Sequence, residues 1–108
     1  MSITDLGKVD LVATRPGSRV VKLVITDHLR WDDFPAHAEL LQEKINSYLE
    51  FIESGQLAAL KNPLIPESPE IWITLAAEWP PSTQAQAFLA QINEFLGSAG
   101  LRFEVQQR

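Results

Sequence analysis

Between Val20 and Ser54 the spacing of apolar residues changes from two to between three and four, and that switch restricts the chain to a small set of folds. In "RVVKLVITD", Val21, Leu23 and Ile25 fall on one side while Lys22 and Thr26 fall on the other, the period of a strand with one strongly apolar face. From Phe34 to Ser54, Ala38, Leu41, Ile45, Tyr48, Leu49 and Ile52 recur at helical steps, opposite Glu39, Glu43, Asn46, Glu50 and Glu53. Aspartates precede this segment and Gly55 follows it, in the positions of an N-cap and a C′ residue. A strand followed by an amphipathic helix is predicted.

The remaining segments repeat the theme. Val9, Leu11 and Ala13 alternate with Asp10, Val12 and Thr14. "RPGS" then places Pro16 and Gly17 in a turn, so the first two strands are expected to form a hairpin. "GQLAALKNPLIPESP" is a connector, and Leu57, Leu60, Leu64 and Ile65 are expected to strap it over the core, with one helical turn. "EIWITLAAE" reads as the third strand, with Ile71, Ile73 and Leu75 on one face and Trp72, Thr74 and Ala76 on the other. "WPPST" ends it, since proline cannot donate to a ladder. Thr83 to Gln86 has the pattern of a capping box. It opens a helix with the stripe Ala85, Phe88, Leu89, Ile92, Phe95 and Leu96, closed by Gly97 and Gly100. "LRFEVQQ" alternates again and supplies a fourth strand.

The predicted order is ββαβαβ. Every strand alternates, so one sheet face is apolar, and each helix has one stripe to bury there; the expected architecture is a two-layer α/β sandwich. Strand–helix–strand crossovers are almost always right-handed. With both helices on one face, the third and fourth strands therefore step the same way. That gives a four-stranded mixed sheet of order 1-2-3-4, with the first strand antiparallel.

Composition narrows the function classes. A chain of 108 residues fits one domain with a sizeable core, and 45% hydrophobic with 21% charged residues is the balance of a globule. The net charge of −5 is repelled by phosphate backbones and anionic lipid, which argues against nucleic-acid and membrane partners. Cysteine is absent, so no thiolate or disulfide chemistry is available. The N-terminus lacks the pattern of a signal peptide, and no apolar run is long enough to cross a bilayer, so a cytoplasmic location is expected.

In open α/β sheets, ligands favour the carboxyl ends of parallel strands, where helix N-termini also point. There the second strand ends in Asp27 and His28, followed by Trp31, Asp32 and Asp33, and the third ends in Glu78 and Trp79. His37 lies one turn into the first helix. Asp27, His28 and Glu78 are candidate acid–base residues, with Trp31 and Trp79 as binding candidates. Each also has a plainer role. Asp32 or Asp33 is placed to cap the helix, Asp27 to bond amides in the following turn, His28 to be a structural histidine, and the tryptophans to cover the end of the core. The Asp/His set matches no established metal-loop spacing, so no metal site is assigned. Phosphate loops, nucleophile elbows and His-Glu-x-x-His are missing, and no cofactor is implied.

Two surfaces suit a protein partner or a homodimer. The sheet face away from the helices is expected to carry Val12, Val20, Val24 and Trp72 among Lys22, Thr26, Thr74, Arg102 and Glu104. Either Trp72 serves as a contact there, or long neighbouring side chains cover it. The acidic helix stripe, with Glu43 and Glu50 at its centre, is either a solvated face or a docking strip for a basic partner.

"VVKLVITDHLRWDD" and "LLQEKINSYLEFIESGQL" resemble a family of small bacterial proteins known only as a domain of unknown function. Its pattern is an Asp-bearing first strand, V-x-L-x-I-x-DHL-x-W, then LLQEKLNxYLxFIESGE. Here these map to Asp10, to Asp27, His28, Leu29 and Trp31, and to the helix from Leu40 to Gly55, with Ile45 and Gln56 as mild departures. The resemblance is close over residues 9 to 57. It implies the fold and the boundaries and assigns no activity.

The expected function is thus a small module for protein–protein interaction or self-association, without catalysis. One alternative is a small enzyme, or a ligand- or metal-binding protein, using Asp27, His28, Trp31 and Glu78. Another is an acidic, immunity- or antitoxin-like inhibitor of a basic partner.

Overall fold

The computed structural model describes residues 3–4, 9–59 and 69–107. The elements run β1 (Leu11–Thr14), β2 (Val20–Asp27), α1 (Phe34–Glu53), the single turn α2 (Gln56–Ala59), β3 (Glu70–Ala77), α3 (Thr83–Ser98) and β4 (Arg102–Gln107). The sheet order is β1-β2-β3-β4, with β1 antiparallel to β2 and the other neighbours parallel. This is the predicted mixed sheet with its two long helices. Gly17 has φ 78°, a left-handed conformation that residues with a side chain rarely adopt, and this closes the hairpin turn.

One apolar cluster joins the layers. Val21, Leu23 and Ile25 from β2 and Ile73 and Leu75 from β3 pack with Leu41, Ile45 and Tyr48 from α1 and Ala85, Leu89, Ile92 and Leu96 from α3. Both helices therefore bury their stripes on the same sheet face. Each such large side chain contributes about 1.5–3 kcal/mol by leaving water. Leu57 in α2 is buried in the same cluster. Leu60, Leu64 and Ile65 of the connector lie outside the described residues.

Three local expectations are corrected. The first concerns β1. Val12 pairs with core-facing Leu23 and packs on the core, whereas Leu11 pairs with Val24 and is 55% exposed. Directly opposed residues share a face, so Val12 does not belong to the outer sheet surface; Leu11 does. The five residues between the strands set this register, and alternation alone does not specify it. The second concerns α3. Its N-cap is Ser82, whose Oγ accepts from the Ala85 amide, and Thr83 is already helical. The third is Gly97, which sits inside the helix, while Gly100 at φ 82° makes the exit.

Candidate functional site

β2 delivers Asp27 to the end of the core with its side chain fully buried. Its Oδ1 accepts from the Leu29 amide at 3.1 Å, fixing the turn out of the strand. Its Oδ2 lies 2.6 Å from Nε2 of His37, also buried, one turn into α1. The His37 Nδ1–H donates to the Arg30 carbonyl at 3.0 Å. A carbonyl only accepts, so Nδ1 carries a proton, and a further proton closes the bond between Nε2 and the carboxyl group. Asp33 caps α1 by accepting from the Ala36 amide, and Pro35 occupies the first turn, which aims His37 back at the strand end.

Trp31 stacks on His37 with ring centroids 3.6 Å apart and planes 15° from parallel. Its indole N–H donates to the Trp79 carbonyl at 3.3 Å, and the Trp79 ring lies 4.0 Å beneath the Arg30 guanidinium. Arg30, Trp31, Asp32, Trp79, Pro80 and Ser82 line a shallow depression of ≈ 220 Å³. Trp31 both lines the depression and stacks on His37, so its indole separates the Asp27–His37 pair from solvent.

The grouping expected at the strand ends is therefore rearranged. Asp27, Trp31 and Trp79 come together, but His28 is exposed and does not point inward. The imidazole that faces Asp27 is that of His37. Backbone geometry explains the exchange, because Asp27 is the last residue on the core-facing parity of β2 and His28 falls on the opposite side. Glu78 is exposed, its amide tied to the Asp27 carbonyl at 2.9 Å. Gln107 Nε2 donates to the carbonyls of Ala77 and Glu78, closing the end of β3.

A second buried polar group has no counterpart among the sequence candidates. Lys44 Nζ lies 2.8 Å from Asp10 Oδ1, with both side chains essentially out of solvent. Asp10 Oδ2 accepts from the Thr26 amide and hydroxyl. The Asp10 amide donates to Tyr48 Oη at 2.9 Å, and the Tyr48 hydroxyl donates to the Val24 carbonyl at 2.6 Å. Burial pushes the Tyr48 phenol well above its ordinary value of 10.0; the Asp10 amide opposes this and the Asp10 charge adds to it. The available signal was Lys44 itself, which stands among Leu41, Ile45 and Tyr48 on the inner helix stripe.

Outside these groups, the sheet face away from the helices is dressed by its own side chains. The register aligns Lys22, Trp72 and Arg102 in one row. The two cations approach the Trp72 ring at 5.1 and 5.6 Å. Lys22 also pairs with Glu104, and Arg102 with Glu70, each at 2.9 Å. Thr74 donates to Glu104 at 2.9 Å and is buried beneath it. Partial burial raises the Glu104 carboxyl, but Lys22, Thr74 and Gln106 outweigh it and hold the group below its ordinary value. Val24 in the next row is only partly exposed. Trp72 Nε1 is buried without a hydrogen-bond partner among the described residues. A hollow of ≈ 270 Å³ lies beside Trp72, Arg15 and Ser18.

The helix layer is different. α1 and α3 touch through Phe34 and Phe88, whose rings meet edge to face at 5.7 Å. Along the two helices, Gln42, Ile45 and Asn46 face Phe88, Gln91, Ile92 and Phe95 across a groove of ≈ 340 Å³. Phe95 is 56% exposed there. Glu43 and Glu50 are exposed on α1.

Among the described residues no group of three or more His, Cys, Asp or Glu can hold a metal ion. No helix among them is long and apolar enough to cross a membrane. No curated protein and no solved structure matches the chain. A family model does match, over residues 1–108, and the chain belongs to that family, the family of unknown function DUF6572.

Proposed function

We propose that this chain is a small cytoplasmic protein-binding module without catalysis, and that its partner docks on the helix layer. The observation that carries this reading is the α1–α3 groove, where Phe95 stands 56% exposed beside Phe88 and Ile92. Aromatic side chains of this kind, set in a concave apolar surface, are the usual anchors of an interface. The groups best suited to acid–base work support the same reading. Asp27, His37, Asp10 and Lys44 are buried and engaged with one another or with backbone. The outer sheet face is the weaker contact surface, because Lys22 and Arg102 already flank Trp72.

The test compares capture from lysate by the wild-type chain and by Phe95→Ser. A partner retained by the first and lost by the second supports the reading. Retention equal in both, or no retention by either, overturns it. A second reading, a small-ligand site, has the depression between Trp31 and Trp79 in its favour. Binding of a small ligand read by calorimetry, and abolished in Trp79→Ala at the exposed wall of the depression, is its signature.

A further inference from the structure

We infer that the occupant of the α1–α3 groove is an amphipathic helix of another protein, its apolar stripe flanked by lysines or arginines. This rests on the groove-docking reading above and narrows it to one chemistry. The floor is apolar, formed by Ile45, Phe88, Ile92 and Phe95. Both walls are helices, whose backbone groups are satisfied within themselves, so the groove offers no edge to which an extended peptide can add as a strand. The entering segment must satisfy its own backbone, and a helix does so.

The rim sets the charge. Residues three or four apart on a helix are surface neighbours. Glu39 precedes Gln42 by three positions, Glu43 precedes Asn46 by three, and Glu50 follows Asn46 by four. Glu94 follows Gln91 by three on the opposite wall. All four carboxylates are exposed. Neither helix offers an exposed cation to balance them: α3 has no basic residue, and the two in α1, His37 and Lys44, are buried against Asp27 and Asp10. A second copy of this chain is a poor occupant, because a two-fold contact through the groove sets one acidic rim against another. A cationic helix gains where a second copy is repelled.

The test uses the full chain and a fluorescent peptide with leucines at i, i+3, i+4 and i+7 and lysines at the flanking positions. Its controls are a twin with glutamine for lysine and a scrambled peptide of the same composition as the lysine form. Anisotropy is expected to show the lysine peptide binding about tenfold tighter than the glutamine twin at low salt, the advantage shrinking as salt rises. Phe95→Ser weakens binding, and the combined Glu39→Gln, Glu43→Gln, Glu50→Gln and Glu94→Gln variant erases the difference between the two peptides. All five positions are exposed, so the fold tolerates the changes. Equal binding of the glutamine twin overturns the basic-partner inference and leaves the groove reading standing. Equal binding of the scrambled peptide, or indifference to Phe95→Ser, reduces the effect to bulk charge and overturns the inference. Absence of binding by either helical peptide overturns the groove reading with it.

Discussion

His37 Nε2 lies 2.6 Å from Asp27 Oδ2, with both side chains buried and Trp31 stacked against the imidazole. The bond ties the first turn of α1 to the last residue of β2. Removing one partner of a buried pair costs about 3–5 kcal/mol, because the other is left uncompensated in the interior. Asp27→Asn and His37→Asn are each expected to lose that much in urea denaturation. A double-mutant cycle should return a coupling of about 1–3 kcal/mol. His28→Ala, at an exposed position, should stay within about 0.5 kcal/mol of wild type. If His37→Asn proves no more costly than His28→Ala, the pair does not hold the strand end.

Tyr48 is the chain's one tyrosine, so phenolate absorbance reports on it alone. Burial raises its folded-state value above the ordinary 10.0. The stability tied to the protonated phenol is therefore fully present below about pH 10 and is lost as pH rises beyond it. Phenolate is expected to appear together with alkaline unfolding, followed by circular dichroism in the same titration. Phenolate forming in a still-folded chain near its ordinary value would contradict the buried network. Tyr48→Phe should cost about 1–3 kcal/mol, since the Asp10 amide and the Val24 carbonyl both lose their partner.

Trp31 and Trp72 contrast a buried indole whose N–H is bonded with one whose N–H is not. The Trp31 N–H donates to the Trp79 carbonyl, whereas Trp72 Nε1 is buried without a partner among the described residues. An unsatisfied buried donor carries a desolvation penalty of about 1–3 kcal/mol. Trp72→Phe sheds that penalty, which offsets the apolar area it loses, and should be nearly neutral. Trp31→Phe should be clearly destabilising. Urea midpoints in the reverse order would refute this account.

Glu104 governs a smaller effect in acid. Its folded-state value is held below the ordinary 4.5, with partial burial opposing and Lys22, Thr74 and Gln106 prevailing. Its contribution is present above about pH 4.5 and is lost as pH falls through the folded value. Glu104→Gln should flatten the acid limb of the stability curve by less than about 1 kcal/mol, the scale of a partly exposed pair. An acid limb unchanged by the substitution would remove the Lys22–Glu104 pair from the account.

Periodicity made the sheet and both long helices legible, because a strand with one buried face and a helix with one buried stripe each leave a period in the sequence. The strand order followed from crossover handedness once both stripes had to bury on the same face. The face assignment in β1 was not legible. Asp10 looks like an outward residue and Leu11 like an inward one, yet the structure reverses them, and the distant Lys44 together with Thr26 makes a buried Asp10 tolerable. The pairing of His37 with Asp27 was hidden for a related reason. Its partner is ten residues away in sequence, while the adjacent His28 offered a nearer and misleading match. The residues that carry the family resemblance include Asp10, Asp27, Trp31, Lys44 and Tyr48, which belong to the two buried networks, whereas His37 lies outside the matching stretches.

The parallel pairings leave a kinetic signature. β1 and β2 meet across a short turn, but Val20 must find Glu70, and Trp72 must find Arg102, each after a long stretch of intervening chain. Entropy is spent on those closures before the ladders repay it, which slows the search. The hairpin and α1 join residues close in sequence, whereas both ladders of β3 join distant ones, so topology places the costlier closures at β3.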